Sequence, residues 1–150
     1  MVGSTVSDFS LKTQNGEVFN LYQNLNSPML LVFYPKDDSR VCTSQLCEYN
    51  NELSSFNSID IQVAAISTDS VESHNKFWNK YKFNFPILAD EEGEVCKMFG
   101  ALTIFGHAKR KIVLIGTNRK IIYMDEKFSA FYLKVGKLLQ VLLKMKSLDN

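Results

Sequence analysis

Only three cysteines occur in 150 residues, an odd and small number. That excludes a scaffold stapled by paired disulfides. The two histidines, His74 and His107, are far apart, and neither stands at a metal-ligand spacing from a cysteine. Charge of either sign is not in excess: 17 basic against 16 acidic side chains leave a net charge of +1. No nucleic-acid or membrane partner is therefore expected from charge. The longest apolar run, Met29–Tyr34, is far too short to span a membrane, and Val141–Leu143 is shorter still. The first ten residues, MVGSTVSDFS, lack a basic start followed by an apolar stretch, so the expected location is the cytoplasm. No linker, low-complexity tract or repeat divides the chain, and one domain over residues 1–150 is expected. With 45% apolar and 22% charged residues, that domain has the composition to bury an ordinary core.

What is present alternates strands with helices. Asn15-Gly16 between Phe9–Thr13 and Glu17–Leu21 reads as the turn of an N-terminal β-hairpin. Met29–Tyr34 is a continuous apolar run before a proline, which marks a buried central strand. Helix is expected from Ser39 to about Phe56, strand over Ile61–Ser67, and helix over roughly Val71–Tyr81. A short strand at Phe85–Leu88 and a short helix at Glu91–Phe99 follow. Strands at Lys111–Gly116 and Lys120–Asp125 flank a turn at Thr117–Arg119. The last element, about Phe131–Lys146, has apolar residues at 135, 138, 139 and 142 and lysines at 134, 137, 144 and 146, the stripe of an amphipathic helix. Gly136 falls inside that helix and should cost it about 1 kcal/mol relative to alanine. The pattern is that of an α/β sandwich with a mixed sheet.

The chemistry-bearing segment is PKDDSRVCTSQLC, Pro35 to Cys47, beyond the carboxyl end of a buried strand, where open α/β sheets place their crevices. Ser39 suits a helix N-cap, and Cys42 then takes the third helical position. Unpaired backbone N–H groups and the positive end of the helix dipole favour a thiolate there. At a pKa of about 8.5 roughly 3% of a thiol is ionised near neutrality, against about 90% at a pKa near 6, a gain of roughly thirtyfold. Cys47 lies five residues on. In an intact helix that offset is about 140° in direction and about 8.6 Å between Cα atoms. A disulfide needs about 7 Å or less, so the two thiols can pair only if the first turn unwinds.

FYPKDDSRVCTSQLC resembles the active-site segment of peroxiredoxins, whose pattern is Pro, three residues, Thr or Ser, two residues, Cys; here these are Pro35, Ser39 and Cys42. A second cysteine five residues later is similar to the peroxiredoxin Q, or bacterioferritin comigratory protein, subfamily. The likeness continues through SDFSL, AISTDSVESHNKF, FPILAD, GEVCKMFG and RKIVLI. The resemblance implies a thioredoxin-like three-layer sandwich with a central mixed β-sheet and an N-terminal β-hairpin. It implies a peroxidase in which Cys42 attacks the hydroperoxide and becomes a sulfenic acid. Cys47 would resolve that acid as an intramolecular disulfide. Ser39 would hold the peroxide by its hydroxyl, Pro35 would shield the sulfenic acid, and Arg110 would stabilise the thiolate and orient the peroxide. Substrates would be hydrogen peroxide and organic hydroperoxides, with thioredoxin or a glutaredoxin-like dithiol as reductant, no cofactor or metal, and a monomeric state.

The chain departs from the family pattern at Ser39 for the commoner threonine, at Arg40-Val41 for Pro-Gly, and at Gln45 for a frequent glutamate. The stretch between Gly100 and Arg110 is also shortened, which bears on the outer wall of the pocket. Cys96 reads as a packed core residue. Two other classes stay open: a general thiol–disulfide oxidoreductase, which would normally carry C-x-x-C, and a metal-binding module of the same fold.

Overall fold

In the computed structural model, which describes residues 1–128 and 131–147, the strands β1 (Ser10–Lys12), β2 (Val18–Asn20), β3 (Met29–Phe33), β4 (Gln62–Ser67), β5 (Ile87–Ala89), β6 (Arg110–Ile115) and β7 (Ile121–Lys127) form one mixed sheet in the order β2-β1-β5-β4-β3-β6-β7. At its centre β3 (Met29–Phe33) runs parallel to β4 (Gln62–Ser67) and antiparallel to β6 (Arg110–Ile115). All five residues of β3 are buried, which is why the segment reads as an unbroken apolar run. Alternate side chains feed two cores. Leu31 and Phe33 pack with Phe9, Phe19, Val95 and Phe99 on one face. Leu30 and Val32 pack with Leu46, Tyr49, Phe77 and Leu138 on the other. Helices α1 (Arg40–Asn51), α2 (Leu53–Ser58), α3 (Val71–Tyr81) and α5 (Val135–Lys146) supply the second face. The N-terminal segment and α4 (Glu94–Met98) cover the first. The expected three layers are present.

The N-terminal hairpin pairs β1 (Ser10–Lys12) with β2 (Val18–Asn20), and β1 joins the main sheet through β5 (Ile87–Ala89). Its loop closes with Thr13 N–H donating to Glu17 O, and Gly16 takes φ +78° there, a conformation that costs glycine nothing. The final strand β7 (Ile121–Lys127) pairs antiparallel with β6 at the opposite edge.

Three expectations are corrected. The helix foreseen from Ser39 to Phe56 breaks at Glu52 into α1 and α2. Cys42, Gln45, Leu46 and Tyr49 form the buried stripe of α1, and its next member would be the charged Glu52. The chain bends there instead, and the Glu52 carboxylate accepts from Ser55 Oγ at 3.0 Å. The C-terminal helix begins at Val135, not near Phe131. Residues 131–134 stay non-helical because they tie to α1: Tyr132 hydroxyl donates to Glu48 Oε1 (3.2 Å), and Val135 N–H donates to Glu48 Oε2 (2.8 Å). Gly136 thus sits second in α5, where the interior penalty does not apply in full. Among the described residues no helix is long and apolar enough to cross a membrane.

Candidate active site

Ser39 has the extended backbone of an N-cap (φ −79°, ψ 155°), and the first helical bond runs from Thr43 N–H to Ser39 O at 2.8 Å. Cys42 is therefore the third residue of α1, where the first-turn N–H groups have no helical acceptor. The Ser39 side chain, expected to cap the helix, does not; its hydroxyl donates to Lys36 O at 2.9 Å. That bond closes the turn leading into α1 and leaves the hydroxyl's lone pairs available.

The Cys42 thiol is fully buried, and its sulfur receives a hydrogen bond from Arg110 Nη2 at 3.1 Å. Strand direction brings them together. Because β6 runs antiparallel to β3, its first residues lie at the carboxyl end of β3, with Lys111 opposite Phe33. Arg110 is only 4% exposed, unlike its neighbours in the Lys109-Arg110-Lys111 run. Arg110 Nη1 also donates to Gln45 Oε1 at 2.8 Å, so the guanidinium bridges two residues on one face of α1. The buried guanidinium thus places a positive charge directly against the sulfur.

Behind Gln45 lies a relay that the sequence did not announce. Gln45 Nε2 donates to the Tyr49 hydroxyl at 3.3 Å, and that hydroxyl donates to Leu133 O at 2.5 Å. Burial pushes the Tyr49 phenol well above its ordinary range, so it stays protonated and keeps donating. Tyr49→Phe would leave the Leu133 carbonyl without this donor, and we expect a stability loss of about 1–3 kcal/mol. A lower urea midpoint with unchanged slope is the measurement that checks it. The only available signal was helical spacing, since Cys42, Gln45 and Tyr49 recur at three and four residues.

Cys47 is a half-buried free thiol in the same helix, and Cys42 is also free. Burial raises the Cys47 thiol, so as a nucleophile it is held back while α1 is wound. Cys96 is buried in α4, with its N–H bonded to Asp90 Oδ2 at 2.7 Å and its thiol pushed well up by burial, as a core cysteine. The stretch between Gly100 and Arg110 folds onto itself through an antiparallel bridge of Leu102 with Ala108. Its exposed tip, Ile104 and Phe105, flanks a cleft of about 360 Å³ that reaches Pro35 and Arg110.

A buried thiol at a helix start, beside a buried guanidinium on a mixed α/β sheet, is the arrangement of a reactive cysteine. The AhpC/TSA family model matches residues 2–124. A putative peroxiredoxin bcp of Coxiella burnetii is 32% identical over 136 residues, covering 89% of each chain. The chloroplastic peroxiredoxin Q of Sedum lineare is 39% identical over 98 residues, or 65% of this chain and 53% of that one. Among solved structures, peroxidoxin BcpB of Mycobacterium tuberculosis superposes with a TM-score of 0.86 at 28% identity, covering 99% of this chain and 97% of the other. A PrxQ mutant of Xylella fastidiosa superposes with a TM-score of 0.85 at 27% identity over 100% and 98%. The chain belongs to the AhpC/TSA family, as a peroxiredoxin of the Bcp and Q group.

Proposed function

We propose that Cys42 is the peroxidatic cysteine, and the 3.1 Å contact from Arg110 to its sulfur is the observation that carries the reading. The Cys42 thiolate attacks the terminal oxygen of a hydroperoxide. An S–O bond forms, the O–O bond breaks, and the leaving alkoxide or hydroxide takes up a proton. Charge spreads from sulfur onto two oxygens in that transition state, and fixed donors lower its energy. Arg110 holds the sulfur and the developing charge. The Ser39 hydroxyl, already donating to Lys36, accepts the peroxide proton with its lone pairs, and Pro35 walls the pocket against water.

The Cys42 sulfenic acid is then resolved by Cys47. The first turn of α1 opens, Cys47 becomes exposed and ionises, and its thiolate attacks the Cys42 sulfur. Hydroxide leaves and is protonated to water as the disulfide forms. A dithiol such as thioredoxin or a glutaredoxin-like protein returns both thiols. The substrates are hydrogen peroxide and organic hydroperoxides, and the chain acts as one domain, a monomer, in the cytoplasm. Its five-residue cysteine spacing disfavours a general C-x-x-C oxidoreductase.

The test is Cys47→Ser. We expect a single turnover with peroxide, leaving one sulfenic acid on Cys42 that a dimedone-type reagent traps. Steady-state recycling by thioredoxin should fall by at least about tenfold. Full turnover in this variant would remove Cys47 from the mechanism.

A further inference from the structure

Two consecutive aspartates precede the reactive turn, and each is fastened to α3. Asp37 is buried and accepts from Tyr34 hydroxyl at 2.5 Å, Ser73 Oγ at 2.8 Å and His74 Nδ1 at 2.7 Å. His74 is fully buried, and its Nε2 faces the Leu88 carbonyl at 3.0 Å. Both ring nitrogens thus face acceptors. The imidazole links the Asp37 carboxyl to the Leu88 backbone, and the two side chains form a buried pair. Tyr34 remains a donor to it, because burial and the adjacent Asp37 push its phenol well above the ordinary range. Asp69 completes the surroundings, accepting from Asp37 N–H at 2.8 Å and Ser67 Oγ at 2.7 Å.

Asp38 is held differently. Its backbone is left-handed (φ 56°), a conformation that disfavours residues other than glycine, although aspartate tolerates it better than most. Its carboxylate accepts from Lys80 Nζ at 2.8 Å and Tyr81 hydroxyl at 2.9 Å, both in the last turn of α3. These two donors hold the Asp38 carboxyl below its ordinary range. Immediately after Asp38 the chain reaches Ser39 and enters α1. On the far side, Glu48 and Tyr49 are tied to residues 132–135. Between these two anchors the stretch 39–47 is tied to the sheet through Arg110, which donates to Cys42 and Gln45.

We propose that Asp37, Asp38 and His74 are positioning residues that fasten the entry to α1 to α3 and thereby bias the segment towards its wound state. The proposal rests on the reading of Cys42 and Cys47 given above. In the wound state the loop must keep Asp38 left-handed, and the Asp38 and Asp37 contacts compensate for that. Once they are lost, the turn opens more readily. The rate of Cys42 oxidation then falls, because fewer molecules present the thiol to Arg110, while the rate of disulfide closure rises. A change that merely weakens the fold has no reason to drive the two steps in opposite directions.

The experiment follows both steps by rapid mixing with peroxide, acid quench and mass analysis of sulfenic acid and disulfide. His74→Gln keeps a donor for Leu88 but loses Asp37; His74→Asn keeps a donor for Asp37. We expect His74→Gln to oxidise about tenfold more slowly and close the disulfide about tenfold faster, and His74→Asn to recover most of both. The surface variant Lys80→Ala/Tyr81→Phe, which leaves the buried pair intact and so tests the idea if His74→Gln does not fold, should shift both rates the same ways by about two- to threefold. Two rates that move together, or equal behaviour of the two His74 variants, would overturn the proposal. Absence of any disulfide phase in the unmodified protein would instead overturn the assignment of Cys47.

Discussion

Cys42→Ser is expected to remove peroxide consumption to the level of the uncatalysed background, a loss of at least about 10³-fold in the second-order rate constant. The reason is electronic. Sulfur donates the electron pair that breaks the O–O bond and can carry the transferred oxygen as a sulfenic acid. A serine hydroxyl is essentially un-ionised near neutrality and has no comparable oxidised state to reach. The fold should survive, because serine is slightly smaller and its oxygen can still accept from Arg110 Nη2, which lies 3.1 Å from the native sulfur. Cys96→Ser is the matched control: it lies in α4, packed in the other core, and should keep activity within about twofold. Peroxide consumption with dithiothreitol as reductant distinguishes the two. Retention of more than about one hundredth of the rate by Cys42→Ser would remove it as the nucleophile.

The second large effect is expected from Arg110→Met. Methionine keeps an unbranched side chain of similar bulk but donates nothing, so the bonds to Cys42 and Gln45 disappear. Loss of one preorganised donor to developing charge costs on the order of 10²–10³-fold in rate. Gln45 Oε1 loses its 2.8 Å donor in the same step, which adds a stability loss of about 1–3 kcal/mol. Arg110→Lys separates the two contributions. An ammonium keeps the charge but cannot span the Cys42 sulfur and Gln45 with a rigid fork, so its rate should fall between the two. Stopped-flow competition for a limiting amount of peroxide measures these constants, and the urea midpoint measures the stability change. An unaltered rate in Arg110→Met would separate the arginine from the chemistry.

The sequence disclosed the half of this site that is local. Ser39, Cys42 and Cys47 lie within one turn-and-helix segment, and the junction after a buried strand is visible in the residues themselves. Arg110 was not visible in that way, since it is one of three consecutive cations and only its register against β3 makes it buried. Family resemblance located it. The Gln45–Tyr49–Leu133 relay spans 84 residues from Tyr49 to Leu133, and the Asp37–His74 pair spans 37, so neither has a local pattern. The break at Glu52 was in principle legible as a charge on an apolar stripe. The late start of α5 was not, because its cause is Glu48 reaching across from another helix.

The antiparallel pairing of β6 with β3 also has a consequence during synthesis. Cys42 and its guanidinium donor are 68 residues apart in the chain, and Arg110 is part of the strand that must dock before they meet. Contacts of such long sequence separation form late, after loop closure has been compensated by packing. A nascent or half-folded chain therefore carries Cys42 without its guanidinium donor. On the proposed role of Cys42, reactivity arrives with the completed sheet, so the rate of peroxide consumption would double as a report on how much of a preparation has finished folding.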